Sequence, residues 1–168
     1  MEPHEAKVVA NFIIDDVENE MQTTLRVFGA VPHGKLDYQP DLVSKTALGL
    51  LRHITLEDER VLNGTADGAF VPPLDESDAC GIMTPDDAIA RYKDRIPAAI
   101  ARVRAMSGED LCAQLDYFGQ LQMPALGFVS LMLKHSVHHR GQLSTYLRAM
   151  GGKVPGIFGP SADTHQSS

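Results

Sequence analysis

A chain of 168 residues with 43% apolar and 22% charged side chains has the composition of one globular domain with a proper core, not of a disordered segment. Its net charge of −7, with no Lys/Arg-rich run, argues against contact with a phosphate backbone, so nucleic acid is not expected as a partner. No apolar run approaches a bilayer span, MEPHEAKVV lacks a signal-peptide pattern, and Cys80 and Cys112 form neither a disulfide framework nor a CxxC motif. No membrane contact and a cytoplasmic location with two reduced, buried thiols are the expectations.

Residues 5–29 read as a first helix, with Val8, Val9, Phe12, Ile13, Val17, Met21, Leu25 and Phe28 at three-or-four spacing and Gly29 as the stop. Asp16 and Glu20 lie on or beside that face and read as solvated flanks. Residues 31–44 are loop. Ser44 is placed as the N-cap of a second helix, KTALGLLRHITLEDERVLNG, ended by Asn63-Gly64. Residues 64–83 show no period and read as a lid or a connector.

Thr84-Pro85-Asp86-Asp87 combines a cap, a first-position proline and first-turn acids. The third helix it opens runs to Ser107 and buries Ala88, Ile89, Tyr92, Ile96, Ala99, Ile100 and Val103, with Pro97 expected to kink or break it. Glu109–Leu115 reads as a short helical turn, and Leu115–Met123 as extended or as a hairpin around Gly119. Pro124 opens a last long helix through Met150, stopped by Gly151-Gly152. Residues 160–168 are expected to fray. The sum is one all-α domain over 1–168, a four-helix bundle with long loops and a short extra helix.

The last helix carries the informative stripe. At 100° per residue, Phe128, Leu131, His135, His139, Gln142 and Tyr146 fall within roughly 80° of one another. On the second helix the inward positions are Leu50, His53, Ile54, Glu57 and Val61. Spacing alone allows two readings: hydrogen-bonded core histidines, or three imidazole ligands from two facing helices with a fourth position open, as in a catalytic metal site. On the second reading Glu57 or Asp58 is the candidate catalytic base. Gln142 and Tyr146 then either touch whatever fills the open position or hydrogen-bond the ligands from outside. His138 and Arg140 fall off the stripe. Arg140 reads as one half of an ion pair, and Gly141 as a point where another helix comes close.

Two segments, LDYQPDLVSKTALGLLRHITLEDERVLNG and HSVHHRGQLSTYLRAMGGKVPGIFGPSAD, resemble the DinB-like (damage-inducible) family of metal-dependent hydrolases, and the resemblance covers nearly the whole chain. It implies a four-helix bundle binding a divalent metal ion, zinc or nickel, through His53, His135 and His139, often as a homodimer. It also implies either hydrolysis or transfer of a low-molecular-weight thiol such as bacillithiol. A branch that isomerises with mycothiol replaces one last-helix histidine by glutamate, and this chain keeps both. The alternative to an enzyme is a non-catalytic module that holds metal or a small molecule under stress.

Overall fold

The computed structural model of the chain describes residues 1–164. Its elements in order are α1 (Pro3–Gly29), α2 (Ala47–Asp67), α3 (Pro85–Ala105), the five-residue α4 (Gly108–Cys112), a hairpin of β1 (Gln114–Tyr117) and β2 (Leu121–Pro124), and α5 (Ala125–Ala149). α1 packs on α3 and α5, and α2 packs on the same two helices. Sequence neighbours α1 and α2 therefore stand on one diagonal of the bundle and α3 and α5 on the other, each pair joined by a long crossing connection. The all-α four-helix bundle expected from periodicity is the fold found, with the small hairpin added. No helix among the described residues is long and apolar enough to cross a membrane.

α1 starts at Pro3, which suits a first helical turn because it brings a fixed φ and lacks the N–H that would go unpaired there. Its buried face is Ala6, Ala10, Ile14, Val17, Thr24 and Phe28, whereas Val8, Val9 and Phe12, expected inside, are exposed. Small alanines face inward where neighbouring backbone comes close, and the larger residues misled the angular reading. At that end a Cβ on Gly108 would lie 2.2 Å from the Pro3 carbonyl oxygen. Lys7 Nζ also donates to the carbonyls of Arg104 and Met106 (both 2.6 Å), closing the end of α3.

The cap of α2 is Thr46 rather than Ser44. Thr46 Oγ1 accepts from Gly49 N (3.0 Å), while Ser44 Oγ donates to Asp41 Oδ2 (2.8 Å) in an aspartate-centred turn. The N–H groups of Ala47 and Leu48 go to the Tyr38 and Leu36 carbonyls. The helix also runs through Asn63-Gly64 and stops only at Gly68, whose φ is 72°. Gly64 is required for space, since a Cβ there would lie 2.4 Å from Phe70 Cδ1.

α3 keeps its expected bounds and face, and Pro97 does not break it. Pro97 and Lys93 both lie on the exposed side, so the carbonyl deprived of its partner faces solvent. The 114–124 segment resolves as the hairpin, pairing Leu115 with Met123 and Tyr117 with Leu121. Phe118 and Gly119 at its tip have φ of 54° and 71°. Cys80 and Cys112 are free thiols, each half-buried rather than buried. Asp163 accepts from Val154 N (2.8 Å) and Arg148 Nε (3.0 Å), giving the tail a set path through Thr164. The fraying expected for 165–168 lies outside the described residues.

A polar chain crosses the core. Asp58 on α2 is fully buried and accepts from the Tyr92 hydroxyl on α3 (2.7 Å), with Ser136 of α5 close by. Its other oxygen, Oδ1, has no hydrogen-bond partner among the described residues. Burial pushes the Asp58 carboxyl up to about 7, against the pull of its hydrogen bonds with Tyr92 and Ser136. A raised folded-state value means that stability is full below the ordinary aspartate range near 3.8 and is lost as pH rises through about 7. The wild-type chain is therefore expected to lose up to about 4 kcal/mol across that window from this one group. Asp58→Asn, which stays neutral and keeps a partner for Tyr92, should flatten the slope, as read from urea midpoints at about pH 4.5 and about pH 8.

Candidate functional site

α2 and α5 lie side by side, and their seam brings His53, His135 and His139 together. His135 and His139 are one turn apart on α5, and His53 reaches them from α2. One ligand-type atom from each ring lies within 4.8 Å of the others. The Nε2 atom of His53 is 3.1 Å from that of His135 and 3.3 Å from that of His139. All three residues are partly buried, so the group opens on one side.

The outer nitrogens decide what the inner ones offer. His53 Nδ1 donates to Glu76 Oε1 at 2.6 Å, and His139 Nδ1 donates to Gln142 Oε1 at 2.7 Å. When both rings are neutral, with the proton held on Nδ1, their Nε2 atoms present bare lone pairs to one another at 3.3 Å. Two such lone pairs repel unless a cation lies between them. Nitrogens bound at 2.0–2.1 Å around a tetrahedral ion sit about 3.3 Å apart, so the donor set fits a divalent late-transition metal. Burial, with the neighbouring rings adding to it, pushes the His135 imidazole down to about 4; burial also lowers His139. Both rings are therefore neutral near pH 7, the state that ligation requires.

Glu76 was not singled out from the sequence. It lies in the aperiodic connection between α2 and α3, which folds back along α2 instead of leaving the bundle. Its second oxygen accepts from Lys45 Nζ (2.6 Å). Burial would raise its carboxyl, but the hydrogen bonds from Lys45 and His53 outweigh that and leave it below the usual carboxylate range. A bond of this kind orients the ring and raises its basicity. The only signal in the sequence is a run of acidic residues after Pro72-Pro73, which carries no address.

The other expected residues divide. Glu57 borders the cavity beside His53 and His135 but is engaged by Arg60, with Nε to Oε1 at 3.1 Å and Nη2 to Oε2 at 2.5 Å. Asp58 is five residues from His53, about 140° around the helix, and points into the core at Tyr92. It does not join the group. Gln142 hydrogen-bonds a ring from outside, and Tyr146 donates its hydroxyl to the Lys45 carbonyl (3.2 Å). His138 is exposed. Arg140, 1% exposed, pairs with Glu20 of α1, so Glu20 is not the solvated flank expected, while Asp16 is exposed. Gly141 is not a close-approach point, because a Cβ there would meet nothing within 4 Å.

The hairpin closes one flank of the group. Arg60, buried in α2, donates to the Tyr117 hydroxyl and to the Val71 carbonyl (3.0 Å), and its guanidinium lies 5.1 Å from the Tyr117 ring centre. Phe70 packs edge-on against Tyr117 and tilted against Phe128, and Tyr117 stacks on Phe128, at 4.6–6.1 Å between ring centres.

Comparison with known proteins follows the geometry. Residues 13–166 match the DinB family, and the chain belongs to it. A 50-residue stretch is 38% identical to the uncharacterized protein YrdA of Bacillus subtilis, covering 30% of this chain and only 29% of that protein. The fold is shared with a DinB-like protein from Bacillus cereus at TM-score 0.73 and 21% identity, covering 86% of this chain and 95% of the other. It is shared with the DinB-like YjoA of Bacillus subtilis at 0.66 and 20%, covering 84% and 92%. A mycothiol-dependent maleylpyruvate isomerase carries the same fold at 0.55 and 11% identity, over 85% of this chain and 61% of its own.

Because Arg60 is buried against Glu57, removing the carboxylate strands a charge. Glu57→Ala is expected to lower the unfolding free energy by about 2–3 kcal/mol in urea titration, with Tyr117 and Val71 left to satisfy part of the guanidinium.

Proposed function

We propose that His53, His135 and His139 hold a divalent metal ion, zinc or nickel, and that the chain is a metal-dependent enzyme acting with a low-molecular-weight thiol. The observation that carries the metal reading is the pair of inward lone pairs 3.3 Å apart, each fixed by a hydrogen bond on the ring's outer nitrogen. Bound there, a divalent ion supplies Lewis acidity to a sulfur or oxygen that reaches the open side. Glu76 and Gln142 hold two of the rings in the ligating tautomer, and Tyr117 and Phe128 border the cavity beside His53 and His135.

The choice of thiol chemistry over hydrolysis rests on the carboxylates. Hydrolysis calls for a base free to take a proton from water. Glu57 is held by Arg60, Glu76 by His53 and Lys45, and Asp58 by Tyr92 in the core. A thiol ionises near neutral pH with far less help. The mycothiol dependence named for the isomerase of the same fold points the same way. The hydrolytic alternative has Glu57 in its favour, as the carboxylate on the cavity wall nearest His53 and His135. A homodimer belongs to the same proposal, with Val8 and Phe12 of α1, 68% and 70% exposed, supplying apolar surface.

Protein purified without a nickel column is expected to retain about one equivalent of metal by elemental analysis, and chelator should lower its Tm. Absence of metal together with an unchanged Tm would overturn the reading. Glu76→Gln should weaken metal binding roughly 10–100-fold while leaving the fold intact. With bacillithiol and monochlorobimane, whose chloride the thiol sulfur displaces, the metal-loaded protein should exceed the rate of the chelated control. Equal rates refute thiol transfer. Phe12→Glu is expected to halve the particle mass in light scattering.

A further inference from the structure

We infer that the cavity lined by His53 and His135 takes the uncharged, apolar body of the enzyme's electrophilic substrate, an aryl or alkyl compound rather than a polycarboxylic acid. The inference rests on the enzyme reading above and adds the substrate class. The cavity has a volume of about 400 Å³, with His53 and His135 at one end. Val61, Tyr117, Leu121, Phe128, Leu131 and Met132 make its walls, drawn from α2, the hairpin and α5. A space of that order accepts a ligand the size of a substituted bicyclic aromatic. Packing of Tyr117 on Phe70 and Phe128 makes the wall stiff, so the pocket is preformed.

Charge selects within that size class. Among the described residues none of those lining the cavity is a lysine or arginine, and the two carboxylates that reach it, Glu57 and Glu76, are already paired with Arg60 and Lys45. Away from the histidine rings, an anionic group on the body of a ligand would lose its water there and gain no partner among the lining side chains. An apolar body gains about 25 cal/mol for each Å² it removes from water. Leu131 and Leu121, 41% and 37% exposed, sit at the mouth where such a ligand enters.

The test uses N-phenyl-1-naphthylamine, an uncharged dye that fluoresces in apolar surroundings, and its 8-sulfonate, 1-anilinonaphthalene-8-sulfonate, on the zinc-supplemented full chain. The neutral dye is expected to bind at least about tenfold more tightly than the sulfonate. Leu131→Glu should weaken it by a similar factor. A second apolar cavity of about 410 Å³, bordered by Val9, Leu126 and Cys112, provides the control, and Val9→Glu should leave dye binding unchanged. Equal affinity for the two dyes, no binding of the neutral dye, or loss on Val9→Glu instead of Leu131→Glu overturns the assignment. Zinc content is measured on the same samples. Dye binding without retained zinc upholds the pocket and refutes the metal reading, whereas retained zinc without dye binding does the reverse.

Discussion

A proton can sit on only one nitrogen of a neutral imidazole, so whatever holds it on one side strips it from the other. In this chain Glu76 holds it on the outer nitrogen of His53 and Gln142 holds it on that of His139, and the inward nitrogens are left as acceptors. The rest of the site follows from that constraint. α2 and α5 must pack side by side to bring the rings within reach. The 68–84 connection must fold back along α2 to deliver Glu76. Lys45 must stand at the far oxygen to keep the carboxylate charged.

The bundle and the three histidines were legible in the sequence because both obey the helical period. His135 and His139 share a face by spacing alone, and His53 lies on a face with Leu50 and Ile54 that no solvent-facing helix would carry. The same arithmetic sets Asp58 about 140° from His53, off the face expected of a base at that site, but its contact with Tyr92 in the core is seen only in the structure. What periodicity cannot address is a contact made by a segment without a period. Glu76 comes to His53 because a connection folds back, and Arg60 reaches Tyr117 across 57 positions. The α1 face was misread for a different reason. Size was taken as a proxy for burial, yet Ala6 and Ala10 go inside where neighbours crowd, and Phe12 stays out.

Buried polar groups serve two separate ends here. Beside the metal-ligand candidates, Glu76 and Gln142 match the outer nitrogens of His53 and His139, which fixes the orientation of those two rings. In the core, Asp58 is left with an oxygen unpaired among the described residues, and burial raises its proton affinity. Elsewhere, buried Arg140 pairs with half-buried Glu20 and ties α5 to α1 one residue away from His139. Fold and site share helices and also side chains, since Phe128 and Met132 are buried in the core and line the cavity beside His53 and His135.

The partners of the two outer nitrogens differ in where they are anchored. Gln142 stands on the same helix as the ring it holds, while Glu76 and its neighbour Lys45 stand on the two connections that flank α2. Insertions and deletions accumulate in connections without disturbing a bundle. Evolution can therefore retune the electron-donating strength of one imidazole independently of the helices that carry it. Chains with this architecture have room to drift toward different ions and different chemistries while their helical frames remain superimposable.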